Sequence, residues 1–188
     1  MGNAYELKDP NVRLMEELIE IFDYLSKVAE SEDKDVKEYL KALRSRARDA
    51  PTEIFTSGLA LFTVTYLAKS KDCFPKMANE LSKSPDRNTL LKNLDYNPNI
   101  EEANKEKKEA NKKKKGKCDP PDFGYGSYLL ILMYLLKRQR IVGENTTLKD
   151  FLKMASSYPP LSEKALMISE LIKRFSEAYL PEPESEQH

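Results

Sequence analysis

Lys37, Lys41, Arg44 and Arg48 recur at steps of four, three and four residues. At about 100° per residue, a helix projects all of them to one side, with Arg46 pointing elsewhere. A row of like charges repels itself and costs stability unless an anion lies against it. The chemistry on offer is phosphate contact. Cations on a rigid helix can hold a nucleic-acid backbone without reading its bases. A solvated face with cations near a helix C-terminus explains the pattern about as well. A second basic group, Lys137, Arg138 and Arg140, closes an apolar run, and Lys173 and Arg174 flank another. The helix dipole accounts adequately for cations at the end of the first of these runs.

Catalytic chemistry is poorly supplied. The only His is His188, which nearly excludes His-based acid–base catalysis, a triad or a His-ligated metal. Cys73 and Cys118 stand far apart, outside any paired metal-ligand spacing, and two reduced cytosolic thiols are expected. No phosphate-loop, kinase or zinc-protease motif is present, and a lone Gly58 does not make a phosphate cradle. Carboxylates are plentiful but are expected on solvent faces of helices. The reading is a binding protein rather than an enzyme, with no catalytic residues, no metal and no cofactor. A hydrolase using clustered carboxylates and a divalent ion is the remote third choice, behind a nucleic-acid binder and a protein-interaction module.

The elements that must position these cations are helical. Leu14, Leu18, Ile21, Phe22, Leu25 and Val28 recur at helical spacing over Asn11–Ala29, with Glu16, Glu17, Glu20 and Asp23 read as facing water. Asp9-Pro10 is a good entry. After a polar connector around Ser31, a second helix is expected from about Asp33 to Arg48. Its narrow stripe is Tyr39, Leu40, Leu43 and Ala47. Asp49 is read as a cap, with Pro51 in the first turn of a short helix through Phe55. Ser57-Gly58 is read as a break, with Ser57 capping a largely buried helix over Leu59–Lys69. Two short helices follow, Met77–Leu81 and Asn88–Leu94. The stretch 99–121 is Lys-rich, lacks large apolar residues after Ile100 and is expected to be a flexible insert. Asp122–Gly126 reads as a turn, and Ser127 as the cap of the central core helix that ends in Lys137, Arg138 and Arg140. Thr146 or Thr147 caps Leu148–Ala155. Pro159-Pro160 ends that segment, and Ser162 starts a last helix to Leu180 along Ala165, Ile168, Leu171, Ile172, Phe175 and Tyr179. An acidic tail over 181–188 should be disordered.

The whole is therefore all-α, one domain over 1–188. It should form a single compact bundle of about five main helices plus short ones. The length of 188 residues allows a sizeable core. Lys and Arg number 31 and so do Asp and Glu, which excludes a global basic field and confines any nucleic-acid site to a local patch. A mean hydropathy of −0.64 and 33% charged residues imply a heavily solvated surface. The apolar run Tyr128–Leu136 is too short to span a bilayer, and MGNAYELKD lacks a signal-peptide core. A soluble, cytoplasmic protein is expected.

The stretch RSRARDAPTEIFTSGLALFTVTYLAKSK resembles the small all-helical subunit of type III-B CRISPR RNA-guided effector complexes, the Cmr complex. That family has a basic helix end, a Pro followed by Ile and small residues, then Gly-Leu opening an apolar helix closed by Lys. Here these are Arg44 to Arg48, Pro51 with Ile54, Gly58-Leu59, and Phe62 to Lys69. YPPLSEKALMISELIKRFSEAYL is similar to the family's closing helix, through Leu171, Lys173, Arg174, Phe175, Glu177 and Ala178. Pro159 departs from a basic residue usual in the family, and Ile172 from a frequent Trp. The resemblance does not cover roughly 72–119. It implies a non-catalytic subunit in antiviral defence that stacks with copies of itself into a filament. Its partners would be guide RNA, target RNA and other subunits of the effector complex, with no membrane. Lys41, Arg44, Arg48, Lys137, Arg138 and Arg140 are then the expected RNA-backbone contacts, with Lys173, Arg174 and Arg46 beside them. The alternative is a helical protein-interaction module without nucleic-acid contact, which the balanced charge also suits.

Overall fold

The computed structural model describes residues 9–83, 86–96 and 118–182. Most of the expected Lys-rich insert and of the acidic tail lie outside the described residues. Within them the chain forms eight helices and no strand. They are α1 (Pro10–Val28), α2 (Lys34–Ser57), α3 (Leu59–Ser70), α4 (Cys73–Lys83), α5 (Arg87–Leu94), α6 (Pro120–Arg138), α7 (Leu148–Ser157) and α8 (Pro159–Tyr179).

Local chemistry sets most of the helix starts. The Asp9 carboxylate accepts from the Asn11 N–H at 2.7 Å, and Pro10 occupies the first turn of α1. Asp33 caps α2, Asp86 caps α5, and the Thr147 hydroxyl accepts from the Asp150 N–H at 3.2 Å to cap α7. α7 ends at Ser157, just before Pro159 and Pro160, and the two prolines also open α8, because a residue in the first helical turn needs no N–H donor. The last helix therefore starts before Ser162.

Two expected breaks are absent. α2 runs through Pro51 for 24 residues, so Asp49 caps nothing. Proline in a helix interior costs about 3 kcal/mol. Here Ala47, Ala50, Pro51 and Ile54 are all buried along the stripe begun by Tyr39, Leu40 and Leu43. That continuous burial holds the helix across the missing hydrogen bond. The stop comes at Gly58, whose φ of 79° favours glycine. Ser57 does not cap α3, and its hydroxyl donates back to the Glu53 carbonyl at 2.6 Å.

The second absent break lies in α6, which starts at Pro120 rather than Ser127 and takes in Gly124 and Gly126. These glycines serve close packing rather than a turn. A Cβ on Gly124 would sit 3.0 Å from the Ala42 Cβ and 3.2 Å from the Leu43 nitrogen. A Cβ on Gly126 would sit 2.6 Å from the Met77 Cε and 3.3 Å from the Phe74 nitrogen. Ser127 is mid-helix and fully buried.

α6 is the hub. It packs on α2, α3, α4, α5, α8 and α1, while α2 also packs on α8, α1 on α8, and α7 on α3 and α8. Tyr128 to Leu132 and Tyr134 to Leu136 of α6 are buried against Leu18, Phe22, Leu40, Leu43, Phe62, Tyr66, Ile168 and Ile172 of the surrounding helices. α3 is less enclosed than its composition predicts, since Leu61 and Val64 are exposed, as is Phe55 just before it.

Cys73 and Cys118 are joined as a disulfide, with their Cα atoms 5.7 Å apart. Two separate reduced thiols are thus not what the fold shows. Helix α4 brings Cys73 to the residue two places before α6, a proximity that a separation of 45 residues does not reveal.

Candidate nucleic-acid interface

The ridge on α2 is not left unpartnered. The Arg44 side chain is only 16% exposed. Its guanidinium donates to the Leu180 carbonyl at the end of α8 and to the Glu182 carboxylate at 3.1 Å. Its anion partner therefore comes from the far end of the chain. Lys41 is half-buried and not free of partners. Arg48 is exposed and pairs with its neighbour Asp49 at 3.1 Å, an arrangement worth little in water. Lys37 is exposed. Arg46, off the ridge, lies with its guanidinium carbon 4.3 Å from the Tyr125 ring centre, and its Nε is buried without an acceptor. That is a cation–π seat on α6.

The second group, Lys137, Arg138 and Arg140, does converge. With Arg13, Leu81, Tyr134 and Glu144 it lines a cleft of about 90 Å³ where α6 ends. The two groups are well separated. Tyr125 and Arg138 lie about 20 Å apart along α6 at 1.5 Å per residue. Lys173 is half-buried and Arg174 exposed on α8, neither with an ion-pair partner among the described residues.

Arg138 is committed to a carboxylate. Its Nε and Nη2 donate to Glu17 Oε1 at 2.8 and 2.7 Å, and the Tyr134 hydroxyl donates to Glu17 Oε2 at 2.8 Å. Hydrogen bonding to Glu17 holds the guanidinium charged. Burial pushes the Tyr134 phenol up, and its bond to Glu17 adds to this. Arg87 of α5 pairs with Glu20 and stands 4.0 Å from Glu17. Glu17 itself is buried, not solvent-facing as its charge suggests. It shares the inward face of Leu14, Leu18 and Ile21, and that spacing was readable in the sequence. Arg13, one turn before Glu17, carried no signal of its own, because its place in the cleft depends on how α1 meets the end of α6.

Lys137 differs from Arg138. Its ammonium donates to the Glu144 carbonyl at 2.9 Å, and burial pulls its pKa below the ordinary lysine value, offset in part by Glu144. Arg140 sits at φ 57°, left-handed for a residue with a Cβ, in the turn that stops α6.

Among the described residues, no three His, Cys, Asp or Glu side chains are placed to hold a metal ion, and no helix is long and apolar enough to cross a membrane. Comparison with protein-family models, with curated proteins and with solved structures finds no match.

Proposed function

We propose that this chain is a non-catalytic structural subunit of a cytoplasmic type III-B CRISPR ribonucleoprotein in antiviral defence. In this reading it stacks with copies of itself and with other subunits and touches the backbone of guide and target RNA. The observation that carries the proposal is a pair of apolar stripes that nothing covers among the described residues. Val12, Met15 and Ile19 are exposed at helical spacing on α1, and Leu61 and Val64 on α3, beside a Phe55 that is 78% exposed. Apolar surface of this kind marks contact with another chain. A head-to-tail stack needs two different patches on one molecule, and α1 and α3 share only α6 as a main neighbour. The resemblance of Arg44–Lys71 and Tyr158–Leu180 to the small subunit supports the same role.

RNA contact would fall to the cations that the fold does not consume. Arg48, Arg140 and Arg174 are exposed and Lys173 half so. Arg44, Arg46 and Arg138 become supports that hold helices together, and their internal partners favour a second reading, a helical interaction module without RNA contact. The test is native mass spectrometry of the tagged chain purified with its partners, before and after ribonuclease. Larger subunits with a short RNA, falling apart on digestion, are expected. An assembly indifferent to ribonuclease would overturn the RNA role and leave the module.

A further inference from the structure

We propose that the cleft at the C-terminal end of α6 is a binding site for one phosphate group, held by Arg13, Lys137 and Arg140. This goes beyond the ribonucleoprotein reading, because the site follows from the cleft whether or not the phosphate belongs to RNA.

Four cations from α1, α6 and the following turn line this cleft with a single carboxylate, Glu144. Arg138 is already satisfied by Glu17. Arg13 and Arg140 have no side-chain hydrogen bond or ion pair among the described residues, and Glu144 lies within ion-pair distance of no cation there. Cations gathered without counter-charge repel one another. Burial separately disfavours the charged form of Lys137, offset only in part by Glu144. An anion in the cleft would reverse that.

The usual account of cations at a helix end is that they satisfy its last carbonyls and complement its dipole. Lys137 does bond a carbonyl, that of Glu144 just beyond the helix. The Arg140 backbone N–H donates to the Lys137 carbonyl at 2.9 Å, but the side chains of Arg13 and Arg140 bond no carbonyl among the described residues. Arg140 is also an odd choice for its position, since the left-handed residue after a helix is normally Gly or Asn. The described residues contain one parallel. Lys71 ends α3 at φ 49°, and its ammonium is paired with Asp122 at 2.6 Å. There a left-handed cation has an anion to hold. Arg140 shares the positive φ and has no anion within ion-pair distance among the described residues.

The donor set and the size of the cleft favour a tetrahedral oxyanion. Guanidinium groups bind such oxygens in pairs, and the ammonium adds a point charge. The cleft, at about 90 Å³, is far below the roughly 300 Å³ of a site that encloses a whole small molecule. It takes a phosphate and leaves the rest of the ligand outside.

The experiment uses the full chain, with inorganic phosphate followed by calorimetry and by thermal melting against sodium chloride of matched ionic strength. Arg140→Gly is the key variant, because it removes the guanidinium and relaxes the backbone, so it should melt no lower than the native chain. Arg13→Gln is the second. Phosphate is expected to raise the native melting temperature beyond chloride and to bind at least tenfold more weakly to Arg140→Gly. Equal effects of phosphate and chloride, or an unchanged affinity in Arg140→Gly, would overturn the site. Competition separates the sources. Displacement of phosphate by a 5′-hydroxyl oligoribonucleotide assigns the site to backbone diesters. Displacement only by the 5′-phosphorylated strand assigns it to a terminal monoester. Displacement by neither leaves the site standing for a small phosphate compound, without RNA. RNA bound equally by both forms with no phosphate effect would overturn the site and spare the RNA reading.

Discussion

The two ends of α6 are built on different principles. At its N-terminal end the backbone of Gly124 meets α2 and that of Gly126 meets α4, Arg46 covers Tyr125, and the Cys73–Cys118 bond ties the approach to α4. At its C-terminal end four cations surround an open cleft with one carboxylate facing them. One end is closed by packing and covalent linkage, the other leaves charge unspent. Arg46 near the first end is structural, whereas Arg13 and Arg140 near the second are available to a ligand. Two clusters that look alike as sequence thus differ by what the rest of the fold lays over them.

The contrast can be attacked first at the disulfide. It closes a loop with a separation of 45 residues. Chain entropy alone assigns such a loop about 4 kcal/mol. Urea unfolding with and without reductant, and of Cys118→Ser, should show a loss of that order. A coincident curve would mean that the closed end does not depend on the bond. Such a bond persists in oxidising compartments and opens in reducing ones. The proposed cytoplasmic setting therefore predicts free thiols on trapping in cells, and a trapped disulfide would count against that setting.

Packing at the same end comes next. Gly124→Val places a branched side chain where even a Cβ meets the Leu43 nitrogen at 3.2 Å. Backbone cannot yield as a side chain can, so a loss of about 3 kcal/mol is expected by chemical denaturation. Gly126→Val should cost less, because its nearest neighbour is the flexible tip of Met77 and the Phe74 nitrogen lies slightly farther off, at 3.3 Å. Equal costs would show that α4 is held as rigidly as α2.

These positions also show where a sequence reading stops. Apolar spacing located the faces of α1, α2 and α8, since those repeats reflect burial directly. Pro51, Gly124 and Gly126 read by local propensity as breaks or turns, and tertiary contact overrides them. Propensity acts within a few residues, whereas the reason for Gly124 is Leu43, on another helix. The basic cluster at 137–140 was visible, but the cleft was not, because Arg13 arrives from α1. The ridge on α2 was visible as one face, but the partner of Arg44 is 136 residues away.

At the open end, Glu17→Ala removes the acceptor shared by Tyr134 and Arg138. The Arg138 side chain is 46% exposed and can turn to water. The stranded Tyr134 hydroxyl is buried and sets most of the cost, about 2 kcal/mol. The same change frees a fourth cation for the cleft. Phosphate should therefore bind more tightly to Glu17→Ala while the fold weakens. A parallel loss of both would mean that Glu17 shapes the cleft rather than only neutralising Arg138.

The smallest effect tests the claim that Arg44 of the α2 ridge is structural. Arg44→Ala removes two hydrogen bonds, to the Leu180 carbonyl and the Glu182 carboxylate. The second partner is exposed and contributes little. The first anchors the end of α8 onto α2, and its loss should cost about 1 kcal/mol. The useful readout is local. Amide exchange near Leu180, whose own N–H donates to the Ser176 carbonyl at 3.0 Å, should accelerate in Arg44→Ala, while amides of α6 stay protected. In the same variant, phosphate binding at the distant cleft should be unchanged. If α8 exchange is unaltered and RNA or phosphate binding falls instead, Arg44 is a ligand contact, and the division between a structural ridge and a binding cleft fails.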